Sequence, residues 1–258
     1  MDSASIIALG FHVFWWIIPI VIVLYILKSS WFKGLTGEFF VNLYAKGMLN
    51  KDQYQLLKNV ILPTEDGSTQ IDHIIVSVFG VFVIETKNMK GWIFGNPKDR
   101  TWTQKIYKFS KKFQNPLHQN YKHVKVLEEL LGLNESQIFS LVVFMGDSQF
   151  KTNMPENVAH DREYIRFIKS KKEEVLSLAE VKEIINKIET SRTPRSFEAS
   201  SEHRHHVQEI KRKKERNMTC PNCGHHMILR KAKKGSNKGK QFWGCSNFPQ
   251  CRGTVNIT

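Results

Sequence analysis

From Ser3 to Leu27 the chain carries no charged side chain. An apolar run of about 25 positions is long enough to span a bilayer as a helix. Downstream the pattern changes period. Thr36 to Leu49 has helical spacing, with Phe40, Leu43, Tyr44, Gly47 and Met48 clustering on one side. Gln55 to Leu62 reads as a strand stopped by Pro63, and Glu65-Asp66-Gly67-Ser68 as a turn. Two β-branched runs follow, Gln70 to Val78 and Val81 to Lys87, around Phe79-Gly80. They predict an antiparallel hairpin. Gly91 to Gly95 suits a further short strand, and Trp102 to Phe113, mixing lysines with aromatics, suits a loop facing nucleic acid, while its aromatics equally suit core packing.

Asn115-Pro116 is a helix start, an Asn cap followed by a first-turn proline. The helix runs from Pro116 to Leu131 on an apolar stripe of Leu117, Tyr121, Val124, Leu127 and Leu131, and Gly132 ends it. Ile138 to Met145 is a continuous apolar run, the mark of a strand buried on both faces. Ser177 to Glu189 is another amphipathic helix.

The hairpin carries the chemistry. A turn centred on Phe79-Gly80 sets Ile74 opposite Glu85 and Asp72 opposite Lys87. Side chains alternate with period two, so Asp72, Glu85 and Lys87 share a face. The plainer reading is a cross-strand ion pair between Asp72 and Lys87. The sharper one is a site for phosphodiester hydrolysis, in which two carboxylates hold Mg²⁺ or Mn²⁺ and a lysine steadies developing charge or orients the attacking water. Glu38 lies in the preceding helix. Gln119 and His123, four apart, share a face of the following one.

This order of residues resembles the PD-(D/E)xK nuclease superfamily, and within it the bacterial nuclease-related domain. The matching residues are Gly37-Glu38, Ile71-Asp72-His73, Gly80 through Asn88, Lys90-Gly91, and Asn115-Pro116-Leu117 with Gln119, over about residues 34 to 145. The resemblance implies Asp72 and Glu85 as metal ligands, Lys87 as the catalytic lysine, and Glu38 and Gln119 as supporting catalytic residues.

Charge and cysteines separate the two ends. The net charge is +14, and roughly +10 of it follows Ser200. Such a tail favours a polyanion. All four cysteines fall in the last forty or so residues, a pattern that suits a metal site in a reducing compartment rather than a disulfide framework. Cys220-x-x-Cys223 and the later pair Cys245 and Cys251 supply four thiolates for a closed, structural Zn²⁺ site. So short a segment needs the metal to fold. Residues 218 to 255, including Phe242-Trp243-Gly244-Cys245-Ser246-Asn247-Phe248-Pro249, resemble the C-terminal zinc ribbon of bacterial type I DNA topoisomerases. That resemblance implies single-stranded DNA binding. Arg230, Lys233, Lys234, Lys238 and Lys240 are the expected backbone contacts, with Phe242, Trp243 and Phe248 as base-stacking candidates. Trp243 equally suits the ribbon's small core. The chain lacks room for the domains that perform strand passage, so it is not a topoisomerase by itself.

The expected fold class is therefore an α+β/α/β restriction-endonuclease-like core, a central mixed sheet flanked by helices, between one transmembrane helix and a zinc ribbon. The expected divisions are a transmembrane helix at 4–27, a nuclease-related core at 34–150, a helical extension at 151–190, a basic flexible linker at 191–217 and the ribbon at 218–258. Lys28 and Lys33 follow the apolar run, which places the C-terminal domains in the bacterial cytoplasm under a single-pass inner-membrane anchor in the lipid bilayer. Two other functions fit the sequence: a non-catalytic membrane tether for DNA that keeps the nuclease fold, and an RNA-directed enzyme.

Overall fold

The computed structural model describes residues 18–25, 29–65, 67–193, 219–232, 239 and 241–256. The chain divides into two compact units, one of residues 1–60 with 70–190, the other of 61–69 with 191–258.

A five-stranded sheet runs in the order β1 (Gln55–Thr64), β2 (Gly67–Ser77), β3 (Gly80–Asn88), β7 (Ile138–Met145), β9 (Val158–His160). β2 and β3 are antiparallel, whereas β3, β7 and β9 are parallel, so the sheet is mixed. A four-stranded sheet, β6 (Phe109–Gln114), β5 (Thr101–Ile106), β4 (Gly91–Phe94), β8 (Ser148–Phe150), completes the layering. Besides the helical residues 18–25, four helices accompany them among the described residues: α1 (Ser30–Met48), α2 (Pro116–Leu131), α3 (Glu163–Ser170) and α4 (Leu178–Ser191).

α1 and α3 cover one face of the central sheet. Val41, Ala45 and Leu49 pack with Ile75, Phe82, Ile84, Leu141, Val143 and Tyr164, and Tyr164 donates its hydroxyl to Val41 O at 2.6 Å. The buried stripe of α1 is thus Gly37-Val41-Ala45-Leu49. The larger Phe40, Leu43 and Met48, expected to face inward, are 40 to 50% exposed. Close approach explains the inversion. A Cβ at Gly37 would lie 2.8 Å from Asn88 Cβ, so only small side chains fit beneath the helix.

α2 covers the opposite face and ends at Gly132 in the left-handed region (φ 71°). Its buried positions are Pro116, Asn120, His123, Val124 and Leu127, while Tyr121 is exposed. The polar Asn120 is buried because its amide donates to Val83 O at 2.8 Å, Ser140 Oγ at 2.9 Å and Leu141 O at 3.2 Å.

Three other expectations change. β1 continues through Pro63, because β1 is an edge strand and a proline there removes no necessary ladder bond. The segment Trp102 to Phe113 is a β-hairpin rather than a loop, with Trp102 fully buried. The extension after residue 150 is not purely helical, since β9 joins the central sheet beside β7.

In the second unit β10 (Met227–Lys231), β11 (Gln241–Cys245) and β12 (Thr254–Asn256) form a three-stranded antiparallel sheet. Among the described residues no helix is long and apolar enough to cross a membrane. The expected span at 4–27 lies mostly outside the described residues, of which 18–25 are helical. Most of the expected linker also lies outside them.

Candidate active site and zinc centre

The β2–β3 hairpin turns one residue earlier than the sequence pattern suggested. Ser77 pairs with Gly80, Val76 with Val81 and His73 with Ile84, leaving Val78-Phe79 as a two-residue turn. The register differs from the expected one by two, which preserves the face. Continued one step, it sets Asp72 opposite Glu85 instead of Lys87. Asp72 Oδ2 accepts the Thr86 N–H at 2.9 Å, locking the carboxylate against β3.

Glu85 is 3% exposed. Its Oε1 accepts from Lys87 Nζ, and its Oε2 lies 3.4 Å from His123 Nε2 on α2. Lys87 Nζ also donates to Gln119 Oε1 at 3.0 Å. β2, β3 and one face of α2 thus bring Asp72, Glu85, Lys87, Gln119 and His123 together. His123 was visible in the sequence only through its four-residue spacing from Gln119. Glu38 stands further back on α1. Burial raises its pKa, a hydrogen bond with Asn59 opposes this, and the charge of Glu85 adds to it. α1 is fixed there by Asn88 Nδ2 donating to Thr36 Oγ1 at 3.0 Å. His73, on the other face, has the Glu38 main chain and Thr86 Oγ1 (3.4 Å) about its ring, and burial pulls its pKa down to about 4.

The two central acids split. Burial, then the facing charge of Glu85, pushes Asp72 up to about 8, against the Thr86 N–H that holds it down. Burial alone would raise Glu85 as well, but the His123 hydrogen bond and the Lys87 charge outweigh it and hold its carboxyl below the ordinary range. Lys87 lets Glu85 ionise, but it leaves Asp72 facing that charge in a dry site, where a second ionised acid is unfavourable without a further cation. That donor set fits a hard divalent ion between Asp72 and Glu85.

In the ribbon the four cysteine sulfurs all lie within 4.8 Å of one another. Cys220 Sγ is 3.6 Å from Cys251 Sγ, and Cys223 Sγ is 3.4 Å from Cys245 Sγ. Among the described residues this is the one set of three or more candidate ligands so tightly gathered. Backbone N–H groups turn toward sulfur: Asn222, the largest influence, and Cys223 serve Cys220, whose pKa falls to about 7. His225 serves Cys223, and Asn247 donates to Cys245 Sγ at 3.4 Å. Such donors favour thiolates, the form that binds zinc. Gly253 is required by packing, since a Cβ there would run into Cys220 Sγ.

The ribbon's aromatics part by strand parity. Arg230 pairs with Phe242, and its guanidinium lies 5.3 Å from the Phe248 ring centroid, so Arg230, Phe242 and Phe248 form one face. Arg230 Nη2 also donates to Cys245 O at 3.3 Å, which ties this cation to the ribbon's own frame. Trp243 turns the other way, pairs with Leu229 and Val255, and packs on Cys220, Met227 and Cys245. Lys233, Lys234, Lys238 and Lys240 lie outside the described residues.

Residues 33–145 match the family model of the nuclease-related domain, and residues 217–258 that of the topoisomerase DNA binding C4 zinc finger. The chain is 50% identical over 103 residues to an uncharacterised protein of Bacillus anthracis, a match covering 38% of this chain and 47% of the relative. It thus spans about half the length of the curated relative it matches. No solved structure matches it.

Proposed function

We propose that this chain, which carries a nuclease-related domain and a zinc ribbon of topoisomerase type, is a membrane-anchored DNA-binding protein whose nuclease-related domain hydrolyses phosphodiester bonds. The observation that carries the reading is the apposition of Asp72 and Glu85 beside a lysine held by Gln119. Asp72 and Glu85 are the residues that would hold a divalent ion, which would supply Lewis acidity toward a phosphoryl oxygen. Lys87, positioned by Gln119, offers an ammonium where charge develops on the phosphate or orients the attacking water. His123 fixes the Glu85 carboxylate from α2. Glu38 adds negative charge from α1.

The ribbon holds the nucleic acid with Phe248, 54% exposed, and Phe242 as stacking surfaces for unpaired bases, and with the basic tail along the phosphates. In this reading the anchor is the apolar run at 4–27, and the lysines that follow it, Lys28 and Lys33, favour a cytoplasmic side for both domains at a bacterial inner membrane. Support comes from α1, which leaves Leu35, Phe39, Phe40 and Leu43 44 to 60% exposed directly after that run. A continuous apolar face of this kind suits a lipid interface.

Cleavage of DNA by the purified full-length protein with Mg²⁺ or Mn²⁺ tests the catalytic part. Sedimentation of the protein with membranes after a high-salt wash tests the anchor. A protein that binds DNA and membranes, yet never cleaves, is the tether.

A further inference from the structure

The outer face of the small sheet is built unlike its inner face. Inward, Ile93 and Trp102 join Val142 and Phe144 in a closed apolar cluster, with Phe113 and Phe150 against it. Outward, β4 presents Trp92, which is 46% exposed. Trp92 pairs with Lys105 on β5 and with Gln149 on β8, so its neighbours on both strands are polar. Lys105 Nζ lies 5.9 Å and Lys151 Nζ 5.0 Å from the Trp92 ring centroid. Lys151 is held there by its N–H, which donates to Ile93 O at 2.9 Å. Lys112 extends the same face opposite Thr103. A cleft of about 460 Å³ opens beside the tryptophan, lined by Lys90, Lys105, Tyr107 and Asp147 among others. Tyr107, at the tip of the β5–β6 hairpin, is 95% exposed. From Lys90 to Gln114 there are seven cationic side chains and one acid, Asp99.

The core already has its tryptophan in Trp102, and Trp92 leaves about half of its side chain open to a ligand. Two ammonium groups beside one ring repel each other until an anion arrives. A ring edged by cations suits a base stacked on the ring with phosphates on the lysines. Bases within a duplex are already stacked and cannot reach such a ring, which selects an unpaired strand.

We propose that this face binds an unpaired stretch of the substrate strand, with a base on Trp92 and phosphates on Lys105 and Lys151, flanking the Asp72–Glu85–Lys87 site. The word substrate rests on the nuclease reading above. The topology supplies the adjacency. β3 leads into β4 as β7 leads into β8, both pairs are parallel, and Gly91 N–H donates to Asp147 O at 2.7 Å where they cross over. Trp92 is five residues beyond Lys87 along the chain, so their Cα atoms lie within about 18 Å of each other. The clustered Val142 and Phe144 pair with Glu85 and Lys87, which puts the small sheet's inner face over the same face of the central sheet as the site and Trp92 on its outer side, so a strand bound at both passes round the edge of the small sheet. The nuclease-related domain therefore has a single-strand surface of its own, independent of the ribbon.

The test is ultraviolet cross-linking of the full-length, zinc-loaded protein to an oligothymidylate about 15 nucleotides long, without added divalent ions, followed by peptide mapping. The expected result is adducts on Trp92 or Tyr107 with the single strand, and their loss when the oligonucleotide is annealed to its complement. The double variant Lys105→Glu, Lys151→Glu lowers these adducts roughly tenfold while leaving adducts on the ribbon peptides. Trp92→Phe keeps the site and Trp92→Ala loses it, at equal thermal stability. Adducts confined to the ribbon, or equal adducts with duplex, overturn the proposal. Cleavage is assayed separately. Adducts at Trp92 on a protein that never cleaves support this surface and refute the nuclease reading.

Discussion

Replacing Asp72 by Asn should make the metal-free protein more stable in alkaline solution, at the expense of function. The wild-type carboxyl is raised from 3.8 to about 8 by burial and by Glu85. A raised acid contributes its stability below the unfolded value and loses it as pH climbs through the folded one. For Asp72 the loss falls between about pH 4 and pH 8. A shift of about four units corresponds to a ceiling of roughly 6 kcal/mol. Sharing of the repulsion with Glu85 reduces this, and roughly 2–3 kcal/mol is the expected gain for Asp72→Asn above pH 8. Glu85 works in the opposite sense. Its lowered pKa gives stability that is present above the ordinary carboxylate range and lost on acidification. The assay is calorimetry of the full-length protein at pH 5 and pH 9 without added divalent ions. Wild type should melt lower at pH 9 than at pH 5. Asp72→Asn should melt about 5–10 °C above wild type at pH 9 and close to it at pH 5. Mg²⁺ should raise the wild-type midpoint at pH 9 and leave the variant unmoved. Coincident wild-type and variant curves at both pH values would refute the buried, mutually repelling pair.

Other expectations follow from single contacts. Gly37→Ala should destabilise the protein by about 1–3 kcal/mol, read from denaturant midpoints, because its Cβ meets Asn88 at 2.8 Å. Phe248→Ala should weaken binding of single-stranded DNA by about 1–3 kcal/mol. Trp243→Ala should instead lower zinc retention, measured by a chromophoric chelator, because Trp243 packs on the cysteine cluster. Truncation after Glu202 should weaken DNA affinity and flatten its salt dependence in binding isotherms, while cleavage at saturating substrate survives.

How far the sequence could be read depended on which physical signal each element carries. α2 was legible at both ends because Asn115 and Gly132 are local caps, and β7 because both its faces are apolar. The zinc site was legible because four thiols at two close spacings have few other uses. The face shared by Asp72, Glu85 and Lys87 was also legible, since an error of two in register preserves parity; the partner of Asp72 was not, because register depends on which two residues turn. The burial of α1 was misread because its inner stripe is set by the closeness of Asn88, a long-range contact that favours Gly37 and Ala45 over large apolar residues. Asn120 was hidden for a related reason: its burial follows from the carbonyls of β3 and β7 it must satisfy. The hairpin at 101–114 looked like a loop because lysines stand on both of its faces, Lys105 and Lys112 outward and Lys111 on the inner parity, and only Trp102 and Phe113 clearly report the inner face.

The most direct measurement is the rate of phosphodiester cleavage by purified full-length protein with Mg²⁺ or Mn²⁺, beside Asp72→Ala, Glu85→Ala and Lys87→Ala prepared identically and shown to be folded. Metal-dependent cleavage by wild type is expected, abolished in both carboxylate variants and severely slowed without the lysine. Cleavage at equal rates by all four proteins would contradict that expectation, because the activity would then come from a different site.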